Sequence, residues 1–185
     1  MTAEIVSSAD QKMDIAVQHA REEFAAIRTG RAHPAMFSKL NADYYGSPTP
    51  IQQLCSFQVP EARTILITPY DRGSLAAVEK AIRDSDLGVN PSNDGNTIRV
   101  VLPALTEDRR KEYTKLAKAK AEEGRVALRN TRRHANDQLQ KLQKDKEASE
   151  DEVARAEKSL DGVTKKHVDT VEELLKAKEA ELMDL

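Results

Sequence analysis

The chain has 185 residues, 32% of them charged and 4% aromatic, with no tryptophan. Roughly 25% charge is usual for a soluble domain, so the excess points to long helices with solvated faces. Basic and acidic residues nearly cancel, 29 against 31, for a net charge of -2; taken as a total, this argues against a nucleic-acid binder. No apolar run approaches the roughly 18–20 residues of a membrane span. The segment Met1-Thr2-Ala3-Glu4-Ile5 lacks the basic region and apolar core of a secretory signal, so the expected compartment is the cytoplasm. Cys55 is the only cysteine, which excludes an intramolecular disulfide and fits a reducing environment. It reads as a small apolar residue in a strand.

The prolines divide the chain. All seven, at positions 34, 48, 50, 60, 69, 91 and 103, lie between His33 and Ala104. Proline costs roughly 3 kcal/mol in a helix interior, so the two flanking arms are free to be continuous helix and the middle is not. In the first arm, Met13, Val17, Ala20, Phe24 and Ile27 recur at helical spacing and predict one buried face. The second arm opens on Thr106, Glu107 and Asp108, a hydroxyl cap followed by acids in the first turn. A helix from there to Lys144 would be about 58 Å long. Its seam comprises Ala117, Ala121, Gly124, Leu128, Thr131, Ala135 and Leu142. Ser149 and Glu152 form a capping box for a third helix, with Val153, Leu160, Val163, Val171, Leu174 and Leu182 as its apolar positions.

Between the arms the periodicity changes. Gly46-Ser47-Pro48-Thr49-Pro50 is rich in turn residues; Leu54 to Val59, Thr64 to Thr68 and Thr97 to Leu102 read as short strands, and Leu75 to Arg83 as a helix. The expected fold is α+β: a long three-helix bundle from residues 1–30 and 105–185, with a small β/α/β domain, residues 31–104, inserted into it. Two short connections join the parts, which predicts a hinge at Gly30, Arg31, Pro103, Ala104 and Leu105.

Partitioned by region, the charge tells a different story from its total. Residues 106–148 carry 13 basic and 8 acidic groups, net +5, whereas residues 149–185 carry 6 and 11, net -5. At about 100° per residue, Lys111, Lys118, Arg125, Arg129 and Arg132 share one stripe of the second helix, with Lys115 and Arg133 at its edge. The seam lies roughly 100° away. Glu122 is the one acid within the stripe. Arginine's planar fork makes paired bonds to phosphate, so the stripe is a candidate surface for RNA backbone. A solvated face paired in part with the acidic third helix is the competing explanation.

Catalytic signals are weak. His19, His33, His134 and His167 are scattered, without paired metal-ligand spacing, so no metal site is expected. There is no glycine-rich phosphate loop, and no nucleophile sits in a recognisable setting. Asp84-Ser85-Asp86-Leu87-Gly88 starts like a calcium loop, but Val89 and Gly95 occupy its sixth and twelfth positions. These features predict a protein without enzymatic activity and without a cofactor.

Several long motifs, in order, resemble the bacterial ribosome recycling factor family. They are Ile27-Arg28-Thr29-Gly30-Arg31-Ala32, Tyr44 to Pro50, Val78 to Ile82, Leu102 to Lys111, Val126 to Arg133 and Lys178 to Leu182. The resemblance spans essentially the whole chain. It implies an L-shaped, hinged molecule of roughly transfer-RNA size, a monomer, with no membrane association. It also implies action after termination: with elongation factor G and GTP, the factor would split the ribosome into subunits and release mRNA. The bundle would lie on large-subunit rRNA. By motif match, Arg110, Arg129, Arg132 and Arg133 look like the family's RNA-contacting arginines. Arg28 and Arg31 match its RTGR-type motif, in a role of RNA contact or bracing of the joint. Lys118 and Arg125 join the RNA-binding set from the angular argument alone. The sequence departs from the family at Ala104, where a second proline is common, at Gly124, where alanine is common, and at His33. A coiled-coil adaptor docking an acidic partner is the alternative function; it leaves the inserted domain and the motif order unexplained.

Overall fold

A computed structural model describes residues 1–184 of the chain. The described residues form two compact units. The first comprises Met1–Phe24 and Lys115–Glu179. The second comprises Ala25–Thr114 together with the residues from Ala180 on.

Three helices build the first unit: most of α1 (Thr2–Ala25), α4 (Glu107–Lys144) from Lys115 on, and α5 (Glu150–Met183) as far as Glu179. Their ends follow from local chemistry. The Thr106 hydroxyl accepts from the Arg109 amide at 3.1 Å, and the Ser149 hydroxyl accepts from the Glu152 amide at 3.1 Å, so both predicted N-caps are formed. The C-terminus of α4 is closed by Lys146 at φ +60°, with the Glu147 amide bonded to the Leu142 carbonyl at 2.9 Å. This is a Schellman closure with lysine where glycine is usual.

The core of the first unit holds the predicted α1 face, Met13, Val17, Ala20 and Phe24, against Ala117, Ala121, Gly124 and Leu128 of α4. Leu139 is also buried, whereas Thr131 and Leu142 of the predicted seam are only half-buried. The Thr131 hydroxyl instead bonds back to the Ala127 carbonyl at 3.0 Å. On α5 the buried positions are Val153, Ala156, Leu160, Thr164, His167, Val171, Leu175, Lys178 and Leu182. Val163 and Leu174 sit half-buried beside that line. Gly124 lies where the three helices meet: a Cβ there would be 3.6 Å from Ala20 Cβ and from both Val171 methyls.

The second unit contains two antiparallel sheets. Strands β1 (Asn41–Tyr44) and β2 (Ser47–Pro50) form a hairpin in which Asn41 pairs with Pro50 and Tyr44 with Ser47. Its two-residue turn has Tyr45 at φ +51° and Gly46 at φ +85°, the left-handed pair that matches strand twist. A single helical turn, α2 (Ile51–Leu54), leads into β3 (Cys55–Glu61). With β4 (Thr64–Pro69), β5 (Pro91–Asn93) and β6 (Ile98–Val101), β3 forms a second sheet in the order β3-β4-β6-β5. Helix α3 (Leu75–Arg83) covers it, burying Val78 and Ile82. Phe37, Ile51, Ile65, Ile67, Ile98 and Val100 complete the core.

Strands β3, β4 and β6 and helix α3 lie where the sequence predicts them, whereas β2 occupies the segment 46–50 expected as a turn, and β1 and β5 fall where no strand is predicted. β2 contains two prolines, and the hairpin stands as its own two-stranded sheet. Edge positions tolerate proline because no ladder amide is needed there. Cys55 is buried at the start of β3, and burial pushes its thiol up to about 11, as suits a packing residue.

Candidate RNA-binding surface

Within the first unit, α4 presents Lys118, Arg129, Arg132 and Arg133 as exposed side chains, while Arg125 is half-buried. Angular spacing therefore placed the stripe on the correct side of the seam. The arginines do not stand alone. Glu122 Oε2 accepts from Arg125 Nε at 3.0 Å, and its Oε1 accepts from Arg129 Nη2 at 2.7 Å. Arg125 also reaches Glu172 on α5. Arg132 Nε lies 3.0 Å from Asp161 Oδ1. Arg133 donates to the Asn130 side chain at 3.2 Å.

Electrostatics follow from these pairs. The bond and charge of Arg125 hold the Glu122 carboxyl below the usual carboxylate range against the opposing effect of desolvation, and the Arg129 bond adds to them. Burial disfavours the Arg125 charge, but the Glu122 and Glu172 carboxylates outweigh it and raise its pKa further. Exposed pairs of this kind contribute about 0–1 kcal/mol each, so an arriving phosphate can displace the carboxylates at little cost. The surface is thus a row of guanidinium groups held in place by weak, exchangeable partners.

Arg28, Arg31 and Arg110 belong to the second unit. Arg28 is only 5% exposed. Its guanidinium donates to the Pro103 carbonyl and, at 3.5 Å, to the Leu87 carbonyl. Its Nε and the Tyr113 hydroxyl have no hydrogen-bond partner among the described residues. Burial dominates its environment and lowers its pKa. The Arg28 guanidinium is directed inward, onto carbonyls of two separate backbone segments. Arg31 is exposed, 3.6 Å from Asp184 Oδ2. Arg110 is half-buried, and its Nε is unpartnered among the described residues.

The five residues read as a hinge all lie inside the second unit, whose limits fall at 24/25, 114/115 and 179/180. Both chain passages there are tied to one turn: the Ala32 amide bonds to the Ala62 carbonyl and the Leu102 amide to the Arg63 carbonyl, each at 2.7 Å. A Cβ on Gly30 would approach only the Asp184 carbonyl oxygen, at 3.8 Å.

The spacing of the histidines along the chain shows no metal-ligand pair, yet the fold brings His167 to Asp10 and Asp14 of α1. No local pattern reveals it, because the partners are 153 residues apart.

Comparison with known proteins decides the family. Residues 20–183 match the family model described as ribosome recycling factor. The chain belongs to the ribosome recycling factor family. The Cutibacterium acnes ribosome-recycling factor is 67% identical over 183 residues, covering 99% of this chain and 100% of that protein. The Kineococcus radiotolerans factor is 61% identical, with 99% of each covered. Among solved structures, a solution structure of the ribosome recycling factor aligns with a TM-score of 0.78 at 41% identity, covering 100% of this chain and 98% of that one. A second is described as models of the T. thermophilus ribosome recycling factor and the E. coli elongation factor G bound to the E. coli post-termination complex. It aligns with a TM-score of 0.71 at 40% identity and full coverage of both chains. The family's architecture, a long helical bundle with a small β-sheet domain, is the one found here. Among the described residues no helix is long and apolar enough to cross a membrane.

Proposed function

We propose that this chain binds the post-termination ribosome through large-subunit rRNA and, with elongation factor G and GTP, separates it into subunits and frees the mRNA. The reading rests on family membership over the full chain and on one observation in particular, the exposed arginine row of α4. Arg129, Arg132 and Arg133 provide planar donors to successive phosphates, with Lys118 extending the row as a point charge. Arg125 contributes by anchoring Glu122 and α5. Arg31 and Arg110 are further contacts in the second unit, while Arg28 acts by bracing that unit's backbone. The factor performs no chemistry of its own; GTP hydrolysis belongs to elongation factor G. The compartment is the cytoplasm, where ribosomes recycle, and the working form is a monomer.

A gradient assay tests the reading. Post-termination ribosomes incubated with the chain, elongation factor G and GTP are expected to resolve into subunits. Omitting the chain or the GTP is expected to leave them intact. A chain that binds ribosomes but yields no nucleotide-dependent splitting would instead be an adaptor.

A further inference from the structure

Three atoms able to ligate a metal converge on one point in the first unit. His167 projects from the buried seam of α5, with its side chain 5% exposed. Its Nδ1 lies 2.7 Å from the Val163 carbonyl one turn earlier. That carbonyl can only accept, so Nδ1 carries a hydrogen and Nε2 faces the opposite way. There Nε2 meets Asp14 Oδ1 at 2.7 Å and Asp10 Oδ1 at 3.4 Å. Asp10 and Asp14 are one turn apart on α1 and share its face. All three donor atoms lie within 4.8 Å of one another. An imidazole nitrogen facing two carboxylate oxygens at these distances has a positive centre between them, either a bridging proton or a metal cation.

We propose that Asp10, Asp14 and His167 form a binding site for a divalent cation of the zinc class, joining α1 to α5. The donor set selects the class. Hard cations such as calcium and magnesium take all-oxygen sets, whereas imidazole nitrogen with carboxylate oxygens suits zinc, cobalt and nickel. A zinc ion about 2.0–2.2 Å from each donor requires donor separations of about 3.4 Å, which the His167–Asp10 pair already has. The Asp14 carboxylate, with its side chain 70% exposed, is free to rotate outward by the remaining fraction of an ångström. The Val163 bond fixes tautomer and ring plane, as backbone carbonyls do for metal-bound histidines elsewhere. Asp10 also lines an open groove with Ser7 and Ser159, so ions and water reach the carboxylates. Arg155, on the same groove, turns its Nε to the Asp151 carbonyl at 3.4 Å. Any proton that bridges Nε2 to the carboxylates leaves for solvent when the cation enters. Because Asp14 and His167 are 153 residues apart, a bound ion closes a long loop and opposes separation of α1 from the bundle.

The test uses the full chain, stripped with chelator and desalted. Titration with zinc chloride in a calorimeter is expected to show one ion per chain and a rise in thermal midpoint. Cobalt is expected to give the visible absorption of a nitrogen–oxygen site. Asp14→Asn at an exposed position and Asp10→Asn at a half-buried one, both near-isosteric changes, are each expected to weaken binding at least about tenfold. His167→Gln is expected to abolish it, and His19→Gln and His134→Gln to leave it unchanged. If His167→Gln loses helical signal, the two aspartate variants decide. The proposal is overturned by the absence of saturable zinc binding, by unchanged affinity in both aspartate variants, or by loss of binding on removal of His19 or His134.

Discussion

Arg132 Nε lies 3.0 Å from Asp161 Oδ1, joining α4 to α5 with both side chains more than half exposed. The pair has the geometry of a salt bridge and the exposure of one that contributes little to stability. Arg132→Ala is therefore expected to shift unfolding free energy by under about 0.5 kcal/mol while weakening large-subunit binding. Asp161→Asn is expected to act in the opposite direction on binding, since it frees the guanidinium. Pelleting with large subunits across a salt series measures both. Loss of one phosphate contact reduces the log–log salt slope by about 0.7–0.9. Unchanged binding in both variants would remove Arg132 from the interface.

Gly124 carries a second prediction. A Cβ at that position would meet Ala20 and Val171 at ordinary contact distance, 3.6 Å, so glycine is not required by packing. Gly124→Ala gains helix propensity and loses unfolded-state freedom. A gain of about 0.5–1 kcal/mol is expected, read as a higher urea midpoint at unchanged m-value. A loss would mean that the three helices cannot accept the methyl without moving apart.

Arg28 and Arg132 should separate cleanly in experiment. Arg28 is buried and donates to the Pro103 and Leu87 carbonyls. Arg28→Ala removes those donors and leaves a cavity, at an expected cost of about 2–3 kcal/mol. Arg28→Lys should recover only part, because an ammonium on a flexible stem cannot span two carbonyls as the planar fork does. Denaturant unfolding measures the cost. A variant of native stability with weakened subunit binding would reverse the assignment and make Arg28 an RNA contact.

Asp71 supplies a pH dependence. Its carboxylate accepts from Tyr45 Oη at 2.7 Å and from the Gly73 amide at 2.8 Å. The Tyr45 bond, then the Gly73 bond, holds its pKa below the usual carboxylate value. A carboxyl depressed in the folded state stabilises above its unfolded pKa, and that stability disappears as pH falls through the folded value. Asp71→Asn is accordingly expected to lower the urea midpoint at neutral pH and to converge with the parent chain in acid. Parallel curves across the whole range would exclude the contribution.

Much of the architecture is local and was readable as such. Proline placement separates helix from sheet because a missing amide and a fixed φ are properties of one residue. The caps at Thr106 and Ser149 formed because each is completed within four residues. The arginine row was legible for the same reason: one helix and its period decide which residues share a face. Even Glu122, flagged as the one acid in that row, proved to be the group that links Arg125 and Arg129.

What the tertiary structure decided were relations between distant segments. Whether a basic residue is a surface contact or an internal brace depends on what packs over it; Arg28 and Arg31 are three residues apart, and one is buried while the other is exposed. The β1–β2 hairpin depends on a two-residue turn that sets register across prolines. The meeting of His167 with Asp10 and Asp14 depends on the register of α5 against α1, fixed by core packing between chain segments 153 residues apart. A residue's type and spacing determined which face it occupies; only packing determined which partner that face meets.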